Sequence, residues 1–306
     1  MRRRGALVAV VVSAACFGTL AVLTPLAYRA WPGGSSEASP LTLLAWRFLI
    51  ASAAMGVYAL ARDARSLRVD RRDLLRYAAL ALTGYGAASI CFFFALRHAP
   101  APVVSVLLYT YPVLVALSAG VLYREAFPPV RVAGVAAAFA GCVLVVDPFS
   151  AAGRPETLGI VLGLGAAGGY AAFSVLSQRW VSRRPRLVLM TYTFGFAGLA
   201  TAALALATGA GMSVEGWGIR LWTLLAAIVA VPTFAAVVLY LEGIRGLGAA
   251  QAALVSTLEP LVTIVLAWAV LGQGLRLGQL SGVALVLAGV VAAELGARRA
   301  QEPAAV

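Results

Sequence analysis

The sequence predicts an all-α membrane protein of ten transmembrane helices, arranged as two inverted five-helix repeats. Three observations carry that expectation: a composition that water does not tolerate, apolar runs of spanning length along nearly the whole chain, and an internal repeat with an odd number of runs. Of the 306 residues, 62% are hydrophobic and 12% are charged, and the mean hydropathy is +0.92. About 20 apolar residues cross a hydrocarbon core of roughly 30 Å as a helix, so a chain of this kind has bilayer as its principal partner.

Ten runs stand between loop signals, at about 5–28, 39–61, 73–95, 101–122, 130–147, 156–180, 186–208, 217–240, 250–271 and 277–295. The breaks carry turn chemistry: Trp31-Pro32-Gly33-Gly34-Ser35-Ser36, Pro128-Pro129, Asp147-Pro148 and the glycine-bounded stretch 209–216. Arg2, Arg3 and Arg4 followed by Val12-Ser13-Ala14-Ala15-Cys16 faintly resemble a cleaved leader, but the apolar run continues to Tyr28, which fits an uncleaved first helix.

The net charge of +12 comes from 24 basic residues, all arginine. All but Arg47 lie in short loops rather than on one folded surface, which argues against a nucleic-acid partner and makes them topology signals. Counted in alternate loops, eighteen fall on one side, among them Arg2 to Arg4, Arg62 to Arg76, Arg179 to Arg186, and Arg298 and Arg299. The other side holds five: Arg29, Arg97, Arg154, Arg220 and Arg276. Cytoplasmic loops carry the excess, so the expectation is a multi-pass protein of the inner (plasma) membrane with both termini in the cytoplasm.

A shift of 148 residues places the fourth and fifth runs on the ninth and tenth without a gap. Arg97 falls on Arg245, Pro112 on Pro260, Glu125 on Gln273, Gly134-Val135-Ala136 on Gly282-Val283-Ala284, and Ala140-Gly141 on Ala288-Gly289. The halves are therefore 5–147 and 156–295. A repeat of five spans enters the membrane from the opposite side in its second copy, and inverted repeats are the architecture of alternating access around a midplane site.

Little else offers chemistry. Cys16, Cys91 and Cys142 all lie in apolar runs, the single histidine is His98, and there is no metal-ligand spacing and no Walker loop. No metal or cofactor is expected, and catalytic residues are not. Asp63, Asp70 and Asp73 alternate with arginine in one loop, which reads as solvated surface rather than as the metal cluster of a membrane enzyme. A non-transporting partner would need a read-out domain, for which the chain has little room.

Glu259 lies about nine residues into its run, roughly 13 Å along the axis. An intramembrane carboxylate costs about 2.5–3.5 kcal/mol and usually faces a bundle interior or a wet cavity. It reads as a contact for a substrate ammonium, as a protonatable coupling group, or as a carboxyl held by neighbouring hydroxyls such as Thr257. Pro260 and Pro112 each remove a backbone donor and free a carbonyl one turn earlier. Arg47, seven residues inside its run, is placed to bind a substrate carboxylate or to pair with Glu259, while its long stem favours snorkelling to the interface. Tyr85, Tyr111 and Tyr170 lie deep, where a phenol needs a hydrogen-bond partner. Gln251 is an amide near the start of the ninth run. Glycines four apart, Gly159/Gly163, Gly165/Gly169 and Gly278/Gly282, serve close helix approach inside the chain or at a homodimer face.

Phe94-Ala95-Leu96-Arg97, the stretch to Tyr111-Pro112, Tyr123-Arg124-Glu125 and Gly134 to Gly141 resemble the first EamA repeat of the drug/metabolite transporter superfamily. Leu258-Glu259-Pro260, Leu271-Gly272-Gln273 and Gly282 to Gly289 resemble the second, and Pro40 with Arg47-Phe48 is similar to the family's second helix. The resemblance implies ten EamA-type helices, a central cavity, and transport of a small-molecule substrate, often export of amino acids or related compounds, with drug or organic-cation efflux as the alternative. Gln273 stands where the family usually has Glu, and Phe17-Gly18 where Trp-Gly is common.

If the arginine count sets the orientation, a fluorescent protein that matures only in the cytoplasm will be bright when fused after residue 306. A dark fusion of normal abundance would overturn the cytoplasmic placement of the C-terminus.

Overall fold

The structure is a computed structural model that describes residues 3–63, 67–111, 113–114, 118, 129–146, 155–180, 186–247, 255–256 and 258–301. Among the described residues every regular element is helical. The elements are α1 (Arg3–Gly18), α2 (Leu20–Arg29), α3 (Pro40–Asp63), α4 (Arg71–Leu80), α5 (Gly86–His98), α6 (Ala101–Leu108) and α7 (Pro129–Val146). They continue with α8 (Thr157–Trp180), α9 (Arg186–Ala207), α10 (Ile219–Ile228), α11 (Ala236–Leu247), α12 (Glu259–Leu266) and α13 (Leu277–Gln301). Five continuous stretches are long and apolar enough to cross a membrane: Arg4–Arg29, Pro40–Asp63, Arg71–His98, Leu187–Ala207 and Ile219–Tyr240. Four shorter apolar helices accompany them, Val132–Val145, Thr157–Phe173, Glu259–Leu271 and Leu277–Ala292.

Local sequence explains where these helices begin and end. Ser39 Oγ accepts the Thr42 N–H at 3.1 Å to cap α3, and Pro40 takes the first position, where its missing donor costs nothing. Asp70 caps α4 by accepting the Asp73 N–H at 2.9 Å, and Asp73 in turn pairs with Arg76 at 3.2 Å, so two members of the acidic loop cluster have local work. Gly272, with φ of 68°, closes the segment that follows α12, a conformation that glycine adopts without strain.

Two wide turns of π-helix interrupt otherwise continuous spans, Ala81–Tyr85 between α4 and α5, and Val229–Ala235 between α10 and α11. The 148-residue shift carries α4 onto α10 end to end and the first wide turn onto the first five residues of the second. Both copies thus keep the same irregularity at the same place, and π-turns of this kind concentrate at functional positions. Gly86 fits the first because a Cβ there would collide with the Ala81 carbonyl oxygen.

The most extensive helix contacts all join one half to the other: α7 with α13, α3 with α9, α1 with α11, and α5 with α8. The α7–α13 contact runs through the repeat glycines. A Cβ on Gly141 would stand 2.6 Å from the Gly282 carbonyl oxygen, one on Gly282 would stand 2.8 Å from that of Gly141, and one on Gly289 would stand 2.6 Å from that of Gly134. The helices are antiparallel, and each contact is the repeat image of the other, the signature of a two-fold relation. Gly159, Gly163 and Gly169 of α8 are likewise filled from within the chain, by His98, Leu107 and Ala88.

Segments beside Arg29, Arg97, Arg220 and Arg276 meet at one end of the molecule. Trp31 packs on Trp217 with ring centroids 5.0 Å apart, and Thr42 donates to the Gly211 carbonyl at 2.9 Å. Arg97 donates to the carbonyls of Ala38 (3.0 Å) and Ser36 (3.1 Å), His98 Nδ1 lies 2.6 Å from Glu156 Oε2, and Gln279 donates to the Val145 carbonyl at 2.8 Å.

Replacing Gly141 by Val overpacks the α7–α13 crossing, a disturbance of about 1–3 kcal/mol. Its melting temperature in detergent should fall by several degrees, whereas Gly278→Ala, which meets nothing within 4 Å, should leave it unchanged or raise it.

Candidate binding site between the halves

Pro260 has no N–H, so the carbonyl four residues earlier, that of Ser256, has no helical donor. The Tyr109 hydroxyl, from the other half, donates to that carbonyl, and the same phenolic oxygen lies 3.2 Å from Glu259 Oε2. Glu259 is the first residue of α12, with Pro260 in the first turn, so the ninth run is not one unbroken helix. Its backbone is pressed against α1: a Cβ on Gly18 would stand 3.0 Å from the Glu259 carbonyl oxygen, and Thr263 donates to the Gly18 carbonyl at 3.0 Å. The glycine of the Phe17-Gly18 pair is therefore required by the approach of the helix that bears the carboxyl.

Around Glu259 stands a chain of aromatic rings drawn from both halves. Tyr109 and Tyr111 have centroids 5.9 Å apart, Tyr111 meets Tyr170 edge to face at 4.8 Å, and Tyr170 meets Tyr85 at 5.9 Å. Phe173 and Phe194 continue the cluster behind Tyr85, at 5.5 and 5.2 Å. The Tyr85 and Tyr170 hydroxyls are within electrostatic reach of the Glu259 carboxyl, and that of Tyr240 of the Tyr109 and Tyr170 hydroxyls. Tyr85 and Tyr109 are buried, whereas Glu259, Tyr111 and Tyr170 each keep some accessible surface.

Arg47 does not snorkel. It is 1% exposed, its Nε donates to Thr233 Oγ1 at 2.9 Å, and its guanidinium lies over the rings of Phe48 and Phe93 at 5.1 and 5.3 Å. The Tyr85 hydroxyl faces the same guanidinium. Tyr85 and Thr233 are repeat equivalents, the fifth residue of each wide turn, so one buried cation touches both irregularities. Thr233 is itself held by donating to the Ile228 carbonyl at 2.8 Å, a bond across five residues that follows from the wide turn.

A family model described as the EamA-like transporter family matches residues 4–147 and again 157–293. The chain belongs to the EamA-like transporter family. Similar proteins include a Bacillus subtilis (strain 168) protein named uncharacterized transporter YyaM, 27% identical over 83% of this chain and 84% of that protein. A second from the same organism, named uncharacterized transporter YcbK, is 31% identical over 64% of this chain and 67% of its own. A solved crystal structure covers 99% of this chain and 100% of its own at 22% identity with a TM-score of 0.68, which shows a shared fold.

In this EamA-like chain, then, Glu259, Tyr111, Tyr170, Tyr85 and Arg47 stand in or beside one cluster, with Pro260 at its edge. Pro112 and Gln251 lie outside the described residues, as does Thr257. Gln273, at the position where Glu is usual, accepts the Ala101 N–H at 3.0 Å and so serves the first turn of α6. Tyr109, Ser256 and Thr233 join the site without having stood out in the sequence. The signal for Ser256 was present, since it is the carbonyl that Pro260 must orphan.

Thr233→Val removes the acceptor of a buried guanidinium N–H, a loss of about 1–3 kcal/mol. Thermal unfolding in detergent should show a lowered midpoint for Thr233→Val and a near-normal one for Thr233→Ser. Equal midpoints for all three proteins would mean that the Arg47 contact carries no weight.

Proposed function

We propose that the chain is a secondary transporter that moves small amine-bearing metabolites, such as amino acids or related compounds, across the inner membrane by alternating access. The two halves rock about a fixed site at Glu259, Tyr111 and Tyr170, within a frame of ten spans whose ends both face the cytoplasm. Export is the direction that the EamA resemblance implies. The observation that carries the proposal is a carboxyl at the junction of two repeats, reached by groups from both, in a family of transporters. A buried charge is retained at such a depth when it meets a substrate or a coupling ion, and a site between inverted repeats opens to either face as the repeats exchange arrangements.

Among the described residues, the group nearest Glu259 is a phenol, which suits a carboxyl that gains and loses a proton during a cycle better than a permanent ion pair would. Tyr111, on the other half, is the repeat equivalent of Glu259, so the same position supplies a ring in one copy and an acid in the other.

Purified protein in liposomes should show counterflow of labelled compounds from a panel of amino acids and small organic cations. Glu259→Gln should lower the rate at least about tenfold, the scale of losing a charge-assisted contact of 1.5–3 kcal/mol, or remove its dependence on pH. Equal rates would sink the role of Glu259, and no flux for any compound would sink the transport reading.

A further inference from the structure

Granted a substrate site at Glu259, we infer that it takes an organic cation without a carboxylate, a primary or quaternary amine, in preference to a zwitterionic amino acid. A zwitterion needs two complementary charges. The cluster offers the negative one at Glu259, which pairs with no arginine among the described side chains; the ion pairs there are Arg76 with Asp73, and His98 with Glu156. The positive one is withdrawn. Arg47 is 1% exposed, bonded to Thr233, faced by Tyr85 and laid over two phenyl rings, so its guanidinium is already met within the protein.

What adjoins Glu259 instead is a chain of tyrosine rings, the first of which meets it through its hydroxyl. Tyr109, Tyr111 and Tyr170 follow one another at 5.9 and 4.8 Å, and two of them, with the carboxyl, retain accessible surface. An aromatic face attracts a cation within about 6 Å, more strongly once water is excluded. The same faces repel an anion, and a substrate carboxylate held near Glu259 would meet a like charge in a medium that screens it poorly. Carboxyl and rings therefore favour the ammonium end of a zwitterion over its carboxylate end.

The test is binding to the full chain in detergent, read by ligand-dependent thermal stabilisation, with matched pairs that differ by a carboxylate: phenethylamine against phenylalanine, tyramine against tyrosine, choline against betaine. The amine of each pair should bind at least about tenfold tighter, the scale of one cation–π contact in a dry site with one repulsion removed. Glu259→Gln should abolish the preference. Tyr111→Phe, which keeps the ring, should retain amine binding, and Tyr111→Leu should weaken it about fivefold or more. The second pair stands even if the Glu259 variant fails to fold. Zwitterions binding as tightly as amines, no binding by any amine at millimolar concentration, or parent-like binding by Tyr111→Leu would each overturn the inference. The two proposals separate cleanly: amine binding without flux in liposomes defeats transport and leaves the selectivity, whereas zwitterion flux without amine preference does the reverse.

Discussion

Inside hydrocarbon no water is on hand to satisfy a bare carbonyl, and this chain interrupts a helix at Pro260. The Ser256 carbonyl, stripped of its donor by Pro260, is the point on which the rest turns. Its replacement partner is a phenol from the opposite half, so repairing the break also draws the two halves together and delivers the Tyr109 hydroxyl to Glu259. The close packing of Gly18 against the same turn follows, since α1 must approach within backbone contact to cover it. Local repair and assembly of the site are thus one event rather than two.

Arg47 applies the same rule to a charge. A guanidinium fully withdrawn from water has to be met on all sides, and here a hydroxyl, a phenol and two ring faces from several elements meet it. Its two polar neighbours occupy matching positions of the two copies, in the wide turns within Arg71–His98 and Ile219–Tyr240. A wide turn leaves a helix locally less tightly wound, and anchoring both such turns on one side chain gives the halves a common reference point near their axis.

Much of this frame was readable from residue order. The 148-residue shift identified the glycines that later proved to face one another across α7 and α13, because close backbone approach admits only one residue type and so leaves a trace even in apolar sequence. Glu259 and the deep tyrosines were visible for a related reason: a polar group in a greasy run is conspicuous. The wide turns were not legible. In spans that are apolar all round, a helix of 3.6 residues per turn and one of 4.4 have the same pattern. Tyr109 carries nothing in the sequence that sets it apart from the other aromatic residues of the runs. The turn that ends α6 at Leu108 lets Tyr109 and Tyr111 reach one cluster. Arg47 reads as a snorkelling residue when its run is considered alone, and its partners Thr233 and Tyr85 are distant in sequence.

The pairing of Tyr111 with Glu259 as repeat equivalents has a consequence for how the duplicated gene could diverge. The facing glycines of α7 and α13 sit across the two-fold relation and have stayed alike, because a missing side chain serves both copies equally. A charge is different, and Tyr111 and Glu259 both adjoin Tyr109. Two acids there would repel in a medium of low dielectric, and neither a second carboxyl nor a second neutral ring reproduces what one of each provides. Identity between the copies is therefore hard to sustain where a single charge is reached from both halves, and easy to sustain where both need only the absence of a side chain.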